Sequence, residues 1–261
     1  MNEYQKITDE IRRIGKAHLA YSSIKEKGSE ANAVTDSDVK IQEELIACLS
    51  KLVPGAKFYC EEEGMNEKKD AEDLFIIDPI DGTMNYSRGI GECAISVAYL
   101  KNNCLMFSTV YNLFRDEMFY AIKGKGAYYQ GKRIHVSDRD FRHSLLYTGF
   151  SLYDKTFAKP CFAFTEEIFP QINDVRRLGS AALELCYLAL GKAELYFAFR
   201  VYPYDYAGGE LILKEAGGKL CTLHEKKVTH DKPQLLLAAN NEENLKKLSE
   251  IVSKHIPYLP Y

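Results

Sequence analysis

Apolar residues recur once per helical turn at the start of the chain, and this spacing predicts an amphipathic opening helix. The residues that recur at this spacing are Ile7, Ile11, Ile14 and Ala17. The capping-box-like stretch from Thr35 to Asp38 predicts the start of a second helix. Apolar residues continue at helical spacing up to Leu52, and the helix is expected to stop near Pro54-Gly55.

Runs of apolar and β-prone residues predict strands in the remainder of the first half. The predicted strands cover residues 58–60, 74–77, 93–100, 105–111 and 118–122. Asn102-Asn103 is expected to form a turn, and Gly124 and Gly126 are expected to end the last strand. The first half is therefore predicted to pack helices on an antiparallel sheet.

Strands and helices are predicted to alternate in the second half. The expected strands are 145–148, 174–177, 194–199 and 235–239, and the expected helices lie within 154–169 and at 180–190, 204–216 and 242–253. Such alternation favours an α/β layer. We therefore predict an N-terminal α+β half, residues 1–142, and a C-terminal α/β half, residues 143–261, packed as one compact unit.

Composition and charge narrow the class of protein. The 261 residues are 46% apolar and 27% charged, which is typical of a globular protein. The net charge is −3 without a basic block, so we expect no nucleic-acid polymer as a partner. A signal-peptide pattern and an apolar run of ~20 residues are both absent from the sequence, so we expect no membrane association. The seven cysteines form no Cys-x-x-Cys pair, which argues against zinc and favours free thiols in the cytoplasm.

The segment after the predicted strand 74–77 carries the most distinctive chemistry. Its sequence is Asp78-Pro79-Ile80-Asp81-Gly82-Thr83. Pro79 keeps Asp78 out of helical geometry, and Gly82 permits a tight turn. Paired carboxylates and a hydroxyl on rigid backbone suit a hard divalent cation and a phosphate. The alternative is a strand followed by a polar turn, and the upstream cluster Glu61-Glu62-Glu63 weakens it.

Two stretches resemble the signatures of one protein family. Residues 78–83 resemble a signature of the inositol monophosphatase family, whose members are magnesium-dependent, lithium-sensitive phosphatases. Residues 204–218, which end in Glu-Ala-Gly-Gly, are similar to the family's other signature, with Tyr204 in place of the usual tryptophan. Two long signatures together are a specific signal. The resemblance implies a five-layer α-β-α-β-α sandwich of the sugar-phosphatase type, with a metal site between the halves, and a homodimer.

The resemblance further implies a site for two or three Mg²⁺ ions. Its ligands would be Glu61, Asp78, the main-chain carbonyl of Ile80, Asp81 and Asp205. Glu62 is the alternative to Glu61, because with three consecutive glutamates the alignment to the family's first glutamate is ambiguous. Asp205 has a second interpretation as an acid at a helix N-terminus, where the helix dipole favours a negative charge.

The residues expected to act on substrate come from the same matches, except for Arg200, which is expected near the rim of the pocket. Thr83, Asp38 and Glu61 would be catalytic, with Asp38 and Thr83 orienting or deprotonating the attacking water. Backbone N–H groups of Gly82 and Thr83 would bind the phosphate. The substrate pocket would be lined by Gly179, Ser180, Ala181, Arg200 and Asp205. Ser180 could instead cap a helix, or do both.

Other matched positions bear on loops and on substrate choice. Lys27 stands where the family often has a lysine near a metal-dependent loop, which Gly28 and Gly64 would suit, and Asn32 replaces a frequent aspartate. Ala198 stands where many inositol-specific members have a glutamate. The nearby guanidinium of Arg200 would suit a second phosphate or a carboxylate, or Arg200 would be an exposed residue at a strand end.

The predicted activity is therefore a Mg²⁺-dependent phosphomonoesterase with weak selectivity for inositol monophosphate among small phosphorylated metabolites. Metal-activated water would attack the phosphorus directly. Fructose 1,6-bisphosphate and a 3′-phosphoadenosine nucleotide are the alternative substrates. A non-catalytic acidic metal-binding protein is the alternative of a different class.

Overall fold

The computed structural model describes residues 3–19, 36–62, 71–150, 155–223 and 227–256. Within these ranges the chain forms α-helices, short 3₁₀ turns and two β-sheets. The helices are α1 (Glu3–Leu19), α2 (Asp36–Leu52), α3 (Thr83–Ser87), α4 (Ala158–Ile168), α5 (Ala181–Ala189), α6 (Pro203–Glu215) and α7 (Glu242–His255). None of these described helices combines the length and the apolar character needed to cross a membrane.

The first sheet has seven strands, which follow one another in chain order. They are β1 (Lys57–Cys60), β2 (Asp73–Asp81), β3 (Ala94–Lys101), β4 (Cys104–Asn112), β5 (Glu117–Ile122), β6 (Gly126–Tyr129) and β7 (Lys132–Ile134). β1 pairs in parallel with β2, and the later neighbours pair antiparallel. The predicted turn between β3 and β4 is confirmed, with Asn102 at φ 49° and Asn103 at φ 58°, as a two-residue hairpin requires.

The second sheet has five strands in the order β11-β12-β10-β8-β9. They are β8 (Leu145–Gly149), β9 (Asp174–Arg176), β10 (Leu195–Val201), β11 (Lys219–Cys221) and β12 (Gln234–Ala239). β8 pairs in parallel with β9 and β10, and α4 and α5 supply the crossovers that parallel strands need. The predicted alternation of strands and helices is confirmed here.

Apolar cores hold five layers together. Helices α1 and α2 cover one face of the first sheet, with Ile11 and Leu45 in the same core as Phe75. Helices α5 and α6 lie between the sheets, and α4 and α7 cover the far face of the second sheet. Strand β2 is buried on both faces, because Ile76 belongs to a separate cluster with Ala207 of α6. The predicted α-β-α-β-α sandwich is confirmed.

Two sequence-based expectations about the strands were wrong, and three strands had not been predicted. The first sheet is mixed rather than antiparallel, because β1 pairs in parallel with β2. Strand β2 continues through Asp81 instead of ending before Asp78. Strands β6, β7 and β11 were not predicted. The turn between β6 and β7 places Gln130 at φ 48° before Gly131 at φ 78°, and glutamine is not one of the residues that signal such a turn.

Candidate active site

A bulge in strand β2 brings the carboxylates of Asp78 and Asp81 together. In a regular strand, residues three apart point to opposite faces. Here Asp78 pairs with Ser96 and Asp81 pairs with Ala94, so a three-residue step of β2 faces a two-residue step of β3. Pro79 lies in this irregular step, where its missing N–H leaves no gap in a regular ladder. The bulge therefore lets both aspartates serve one site.

Asp205 reaches the same site from the first turn of α6. Pro203 opens the helix, and the Asp205 carboxylate accepts a 2.6 Å hydrogen bond from the backbone N–H of Tyr202. One oxygen each of Asp78, Asp81 and Asp205 lies within 4.8 Å of the other two. The two interpretations of Asp205 are compatible, because the same side chain belongs to the acid cluster and to the start of a helix.

Glu61 follows β1 and lies beside the cluster. The parallel pairing of β1 with β2 continues to Glu61, whose backbone N–H donates to the carbonyl of Ile77 over 3.2 Å. The side chain of Glu61 lies close enough to Asp78 for each carboxyl group to influence the pKa of the other. The backbone N–H of Glu62 instead donates to Oε1 of Gln42 on α2 over 3.2 Å. Of the two glutamates, the contact with the acid cluster therefore favours Glu61 as the ligand.

Burial raises the pKa values of these four acids, and repulsion by neighbouring carboxylates adds to it for Asp78, Asp205 and Glu61. Burial, followed by the charges of Glu61, Asp81 and Asp205, raises the pKa of Asp78 well above its usual range. Burial and then the charges of Asp81 and Glu61 raise the pKa of Asp205 well above its usual range. Burial raises the pKa of Glu61 to about 7 and that of Asp81 to about 6. A bound cation would relieve this repulsion and favour the ionised forms.

The acid cluster fits a divalent metal ion. Among the described residues, Oδ1 of Asp78 is buried and has no hydrogen-bond partner. A buried polar atom without a hydrogen-bond partner lowers the stability of the fold. Here the atom belongs to a carboxylate that lies beside other carboxylates, so a cation could serve as its partner. Oxygen donors from several carboxylates are the ligands that Mg²⁺ prefers. Asp78, Asp81 and Asp205 could hold such an ion, with Glu61 beside them.

The Thr83 hydroxyl lies between the metal-binding segment and helix α2. It donates to the carbonyl of Ile80 over 3.1 Å and to Oδ1 of Asp38 over 3.4 Å. Asp38 is fully buried in the first turn of α2. Gly82 precedes Thr83 with φ 95°, and a methyl group there would lie 2.9 Å from the carbonyl oxygen of Glu92. Only glycine fits this position without strain.

The segment from Gly179 to Ala181 contacts the cluster through Asp81. The Ser180 hydroxyl donates to Oδ2 of Asp81 over 2.6 Å, and the backbone N–H of Ala182 donates to the same oxygen over 2.7 Å. Ser180 also caps α5 by accepting from the backbone N–H of Leu183. The predicted helix cap is therefore present, and the same side chain holds a carboxylate of the cluster.

Arg200 lies on the surface at the end of β10. Its guanidinium carbon is 6.0 Å from the ring centroid of Tyr202, which stacks on Tyr204 at 5.3 Å. Among the described contacts, none joins Arg200 to the acid cluster. Ala198 is fully buried in the core between the sheets. The predicted roles of five further residues stay predictions, because these residues lie outside the described ranges: Lys27, Gly28, Asn32, Glu63 and Gly64.

Two supporting residues were missed by sequence reasoning. Glu184 is buried in α5 and accepts from the backbone N–H groups of Leu178 and Gly179 over 2.8 and 3.3 Å. Burial raises its pKa to about 8. Asn85 donates to the carbonyl of Leu178 over 2.7 Å, which ties α3 to the second half. A single acid in the apolar stretch 181–189 was the available signal for Glu184.

Comparisons with known proteins agree with this geometry. A sequence profile described as the inositol monophosphatase family matches residues 4–256. A Nus factor SuhB of Pasteurella multocida is 36% identical over 189 residues, which are 72% of this chain and 71% of that protein. A putative Nus factor SuhB of Neisseria meningitidis serogroup B is 34% identical over 224 residues, which are 85% of each chain.

Solved structures give the same result. An IMPase of Thermotoga maritima superimposes with a TM-score of 0.86 at 28% identity, over 98% of this chain and 99% of that chain. The extragenic suppressor protein suhB of Bartonella henselae superimposes with a TM-score of 0.86 at 26% identity, over 97% and 98% of the two chains. The predicted resemblance is confirmed, and the chain belongs to the inositol monophosphatase family.

Proposed function

We propose that the protein is a Mg²⁺-dependent phosphatase that hydrolyses phosphate monoesters of small metabolites. The observation that carries this proposal is the acid cluster of Asp78, Asp81 and Asp205, with their oxygens within 4.8 Å of one another. The buried Oδ1 of Asp78, which lacks a hydrogen-bond partner, adds to it. Family membership supports a phosphatase of this superfamily.

Bound divalent cations supply an activated water and neutralise the leaving oxygen in this type of chemistry. The residues of the chain would orient the reactants. The Thr83 hydroxyl donates to Asp38 and to the Ile80 carbonyl, and its oxygen would accept a hydrogen bond from the attacking water. Ser180 fixes Asp81 through its 2.6 Å hydrogen bond. Backbone N–H groups of Gly82 and Thr83 would bind the phosphate.

We propose that the enzyme accepts a broad range of substrates and is not specific for inositol monophosphate. Ala198 offers no side-chain acceptor for ring hydroxyls, and it is buried in the core. Arg200 is exposed and packs only on the Tyr202 ring among its described contacts, so its N–H donors are available to a second anionic group. Sugar bisphosphates would therefore be accepted beside inositol monophosphate, and 3′-phosphoadenosine nucleotides are the remaining alternative.

Phosphate release with and without Mg²⁺ tests the activity. Wild-type protein should release phosphate only with the cation, and Asp78→Asn should lower kcat/KM by several orders of magnitude, because a charge that organises the cations is lost. Asp116→Asn is the matched control, since Asp116 pairs with Arg12 and Lys16 at the surface. Activity of Asp78→Asn within tenfold of wild type would contradict the assignment.

A substrate panel tests the selectivity. The substrates are inositol 1-phosphate, fructose 1,6-bisphosphate, a 3′-phosphoadenosine nucleotide and glycerol 2-phosphate. Arg200→Ala should lower kcat/KM for the bisphosphate more than for glycerol 2-phosphate, whereas Arg142→Ala, at another exposed arginine, should change neither. A hundredfold preference of the wild type for inositol 1-phosphate, about 2.7 kcal/mol, would refute the proposed breadth.

A second candidate function comes from the relatives that are named Nus factor SuhB. In this alternative the chain acts through a macromolecular partner and does not require phosphatase activity. Expression of the chain in Escherichia coli that lacks its own SuhB separates the two. Restored growth by both the wild type and Asp78→Asn would favour the Nus-factor role, and failure of both with active phosphatase would favour the enzyme alone.

A cytoplasmic homodimer completes the proposal. All seven cysteines are free, which supports a reducing compartment. Sedimentation velocity of the purified chain tests the dimer, and a monomer at micromolar concentration would refute it.

A further inference from the structure

A cavity of about 700 Å³ lies beside the second half of α6, away from the acid cluster. Leu211 and Lys214 line it, and they follow Asp205 by six and nine residues on the same helix. At 1.5 Å per residue, Leu211 lies roughly 9 Å along the helix axis from Asp205. Ligand pockets in proteins have volumes of about 300–1,000 Å³. The cavity is therefore large enough for a small molecule and distinct from the metal site.

The inner wall of the cavity is apolar. Leu74 and Leu100 contribute from the first sheet, Leu211 from α6 and Val228 from the segment before β12. These four side chains are buried, with exposed fractions of 1%, 2%, 4% and 5%. Leu105 is partly buried and also lines the cavity. The apolar part of a ligand would displace water from this wall, and this burial of apolar surface would favour binding.

The acids of the lining are already hydrogen-bonded. Glu210 is 2% exposed, and its carboxylate binds Nζ of Lys214 at 2.5 Å and Nε2 of His230 at 2.8 Å. Burial raises the pKa of Glu210, but the hydrogen bond and charge of His230 and the charge of Lys214 lower it overall. Glu215 accepts the backbone N–H groups of Gly124 and Gly126, each over 2.8 Å.

Two lysines of the lining remain without an ion pair. Lys123 and Lys227 are exposed at the rim, and neither forms an ion pair with another described residue. The third acid of the lining, Asp231, accepts a hydrogen bond from the Thr229 hydroxyl. The cavity thus combines an apolar wall with ammonium groups that have no protein partner in the described part of the chain.

From this combination we infer that the cavity is a second ligand site for a small amphipathic anion, with its apolar body on the leucine wall and its carboxylate or phosphate at Lys123 and Lys227. An anion without an apolar body would lack the contact with the wall. A cation with the same body would meet the lysines with the wrong sign. The lining therefore selects both for an apolar body and for an anionic group in the ligand.

Isothermal titration calorimetry of the full chain in EDTA tests the site, because EDTA removes the cations that phosphates or carboxylates would meet at the acid cluster. Octanoate is the probe. Acetate and octylammonium are the controls for the apolar body and for the charge. We expect saturable binding of octanoate with one site per chain and no saturable binding of either control. This readout does not depend on phosphatase activity, so it stands or fails separately from the proposed function.

Variants locate the binding. The double variant Lys123→Ala/Lys227→Ala should weaken octanoate binding about tenfold, since each partly exposed ion pair contributes modestly. Lys125→Ala, at a neighbouring exposed lysine outside the lining, should leave binding unchanged. Leu105→Trp should fill the cavity and abolish binding, with an unchanged circular dichroism spectrum as evidence of folding.

The proposal would be overturned if the Lys123→Ala/Lys227→Ala and Leu105→Trp variants bound octanoate as tightly as the wild type. It would also be overturned if octylammonium bound as tightly as octanoate. A changed sedimentation coefficient of Leu105→Trp with unchanged octanoate binding would place a second copy of the chain on this surface and would likewise overturn it.

Discussion

Replacement of Asp78 by asparagine should stabilise the metal-free protein while it removes the activity. The carboxylate of Asp78 is buried among Glu61, Asp81 and Asp205, whose charges raise its pKa after the larger effect of burial. A carboxyl whose pKa is raised in the folded state binds its proton more tightly there than in the unfolded chain. Folding stability is therefore lost as the pH rises from the ordinary value of an aspartate through the raised value. An asparagine carries no charge at any pH and escapes this loss.

The size of the effect follows from the distance between the carboxylates. The oxygens of Asp78 and Asp81 lie within 4.8 Å, and at an effective dielectric constant of ~20 two unit charges at that distance repel by about 3 kcal/mol. At pH 8 Asp81 and Glu61 are above their raised pKa values of about 6 and about 7. For a chain of 261 residues, a gain of about 3 kcal/mol raises Tm by roughly 6 °C.

Thermal unfolding in EDTA at pH 5 and pH 8 measures this prediction. At pH 8 Asp78→Asn should unfold several degrees above the wild type. At pH 5 the difference should shrink, because the acids of the wild-type cluster are then largely protonated. Added Mg²⁺ at pH 8 should raise the Tm of the wild type, since ligands that bind the folded state stabilise it, and should leave Asp78→Asn nearly unchanged.

A control variant separates this effect from a general change of charge. The pKa of Asp116 is lowered by hydrogen bonds to Lys16 and Tyr111, which outweigh burial, so Asp116→Asn should show no gain at pH 8 and a normal response to Mg²⁺. The reasoning would be refuted if Asp78→Asn were less stable than the wild type at both pH values and gained as much stability from Mg²⁺.

The remaining predictions concern residues around the cluster and the response to lithium. Ser180→Ala should cost about 1 kcal/mol of stability through the lost cap of α5, and it should move the rising limb of the pH–rate profile to higher pH because Asp81 loses a hydrogen bond that lowers its pKa. An unchanged limb would contradict the role of Ser180. Gly82→Ala should lower Tm and phosphate release together, because φ 95° is strained for alanine and its methyl group would lie 2.9 Å from the Glu92 carbonyl oxygen. Full activity at wild-type Tm would count against it. Li⁺ should inhibit phosphate release uncompetitively at a position framed by Asp81 and Asp205, and steady-state kinetics at fixed Mg²⁺ that show no inhibition would indicate a different site.

Local sequence patterns determined most of the secondary structure. The two predicted helices at the start of the chain, the predicted terminal helix and the strands around Asn102-Asn103 are present. Apolar periodicity and left-handed turn residues act over a few neighbouring positions, so the sequence reveals them. The signature residues Asp78, Asp81 and Asp205 were also recognisable from sequence, since their spacing within each segment is local. The chemistry of a hard-cation site follows from the residue types alone.

Tertiary structure decided how those segments meet. Asp205 lies more than a hundred positions from Asp78 in the sequence, and only the packing of α6 between the sheets brings their oxygens within 4.8 Å. The bulge at Pro79 exists because β2 and β3 pair in a register that no local pattern specifies. The parallel pairing of β1 places Glu61 beside Asp78 for the same reason.

The contacts that support the site could likewise not be predicted from the sequence. Glu184 acquires its role only because the fold leaves the N–H groups of Leu178 and Gly179 facing a buried carboxylate. The cavity beside α6 lies where side chains from the first sheet, from α6 and from the segment before β12 leave space between them. Sequence determines which groups are present and how each segment is shaped, whereas distances, burial and shifted pKa values depend on contacts between segments that are far apart along the chain.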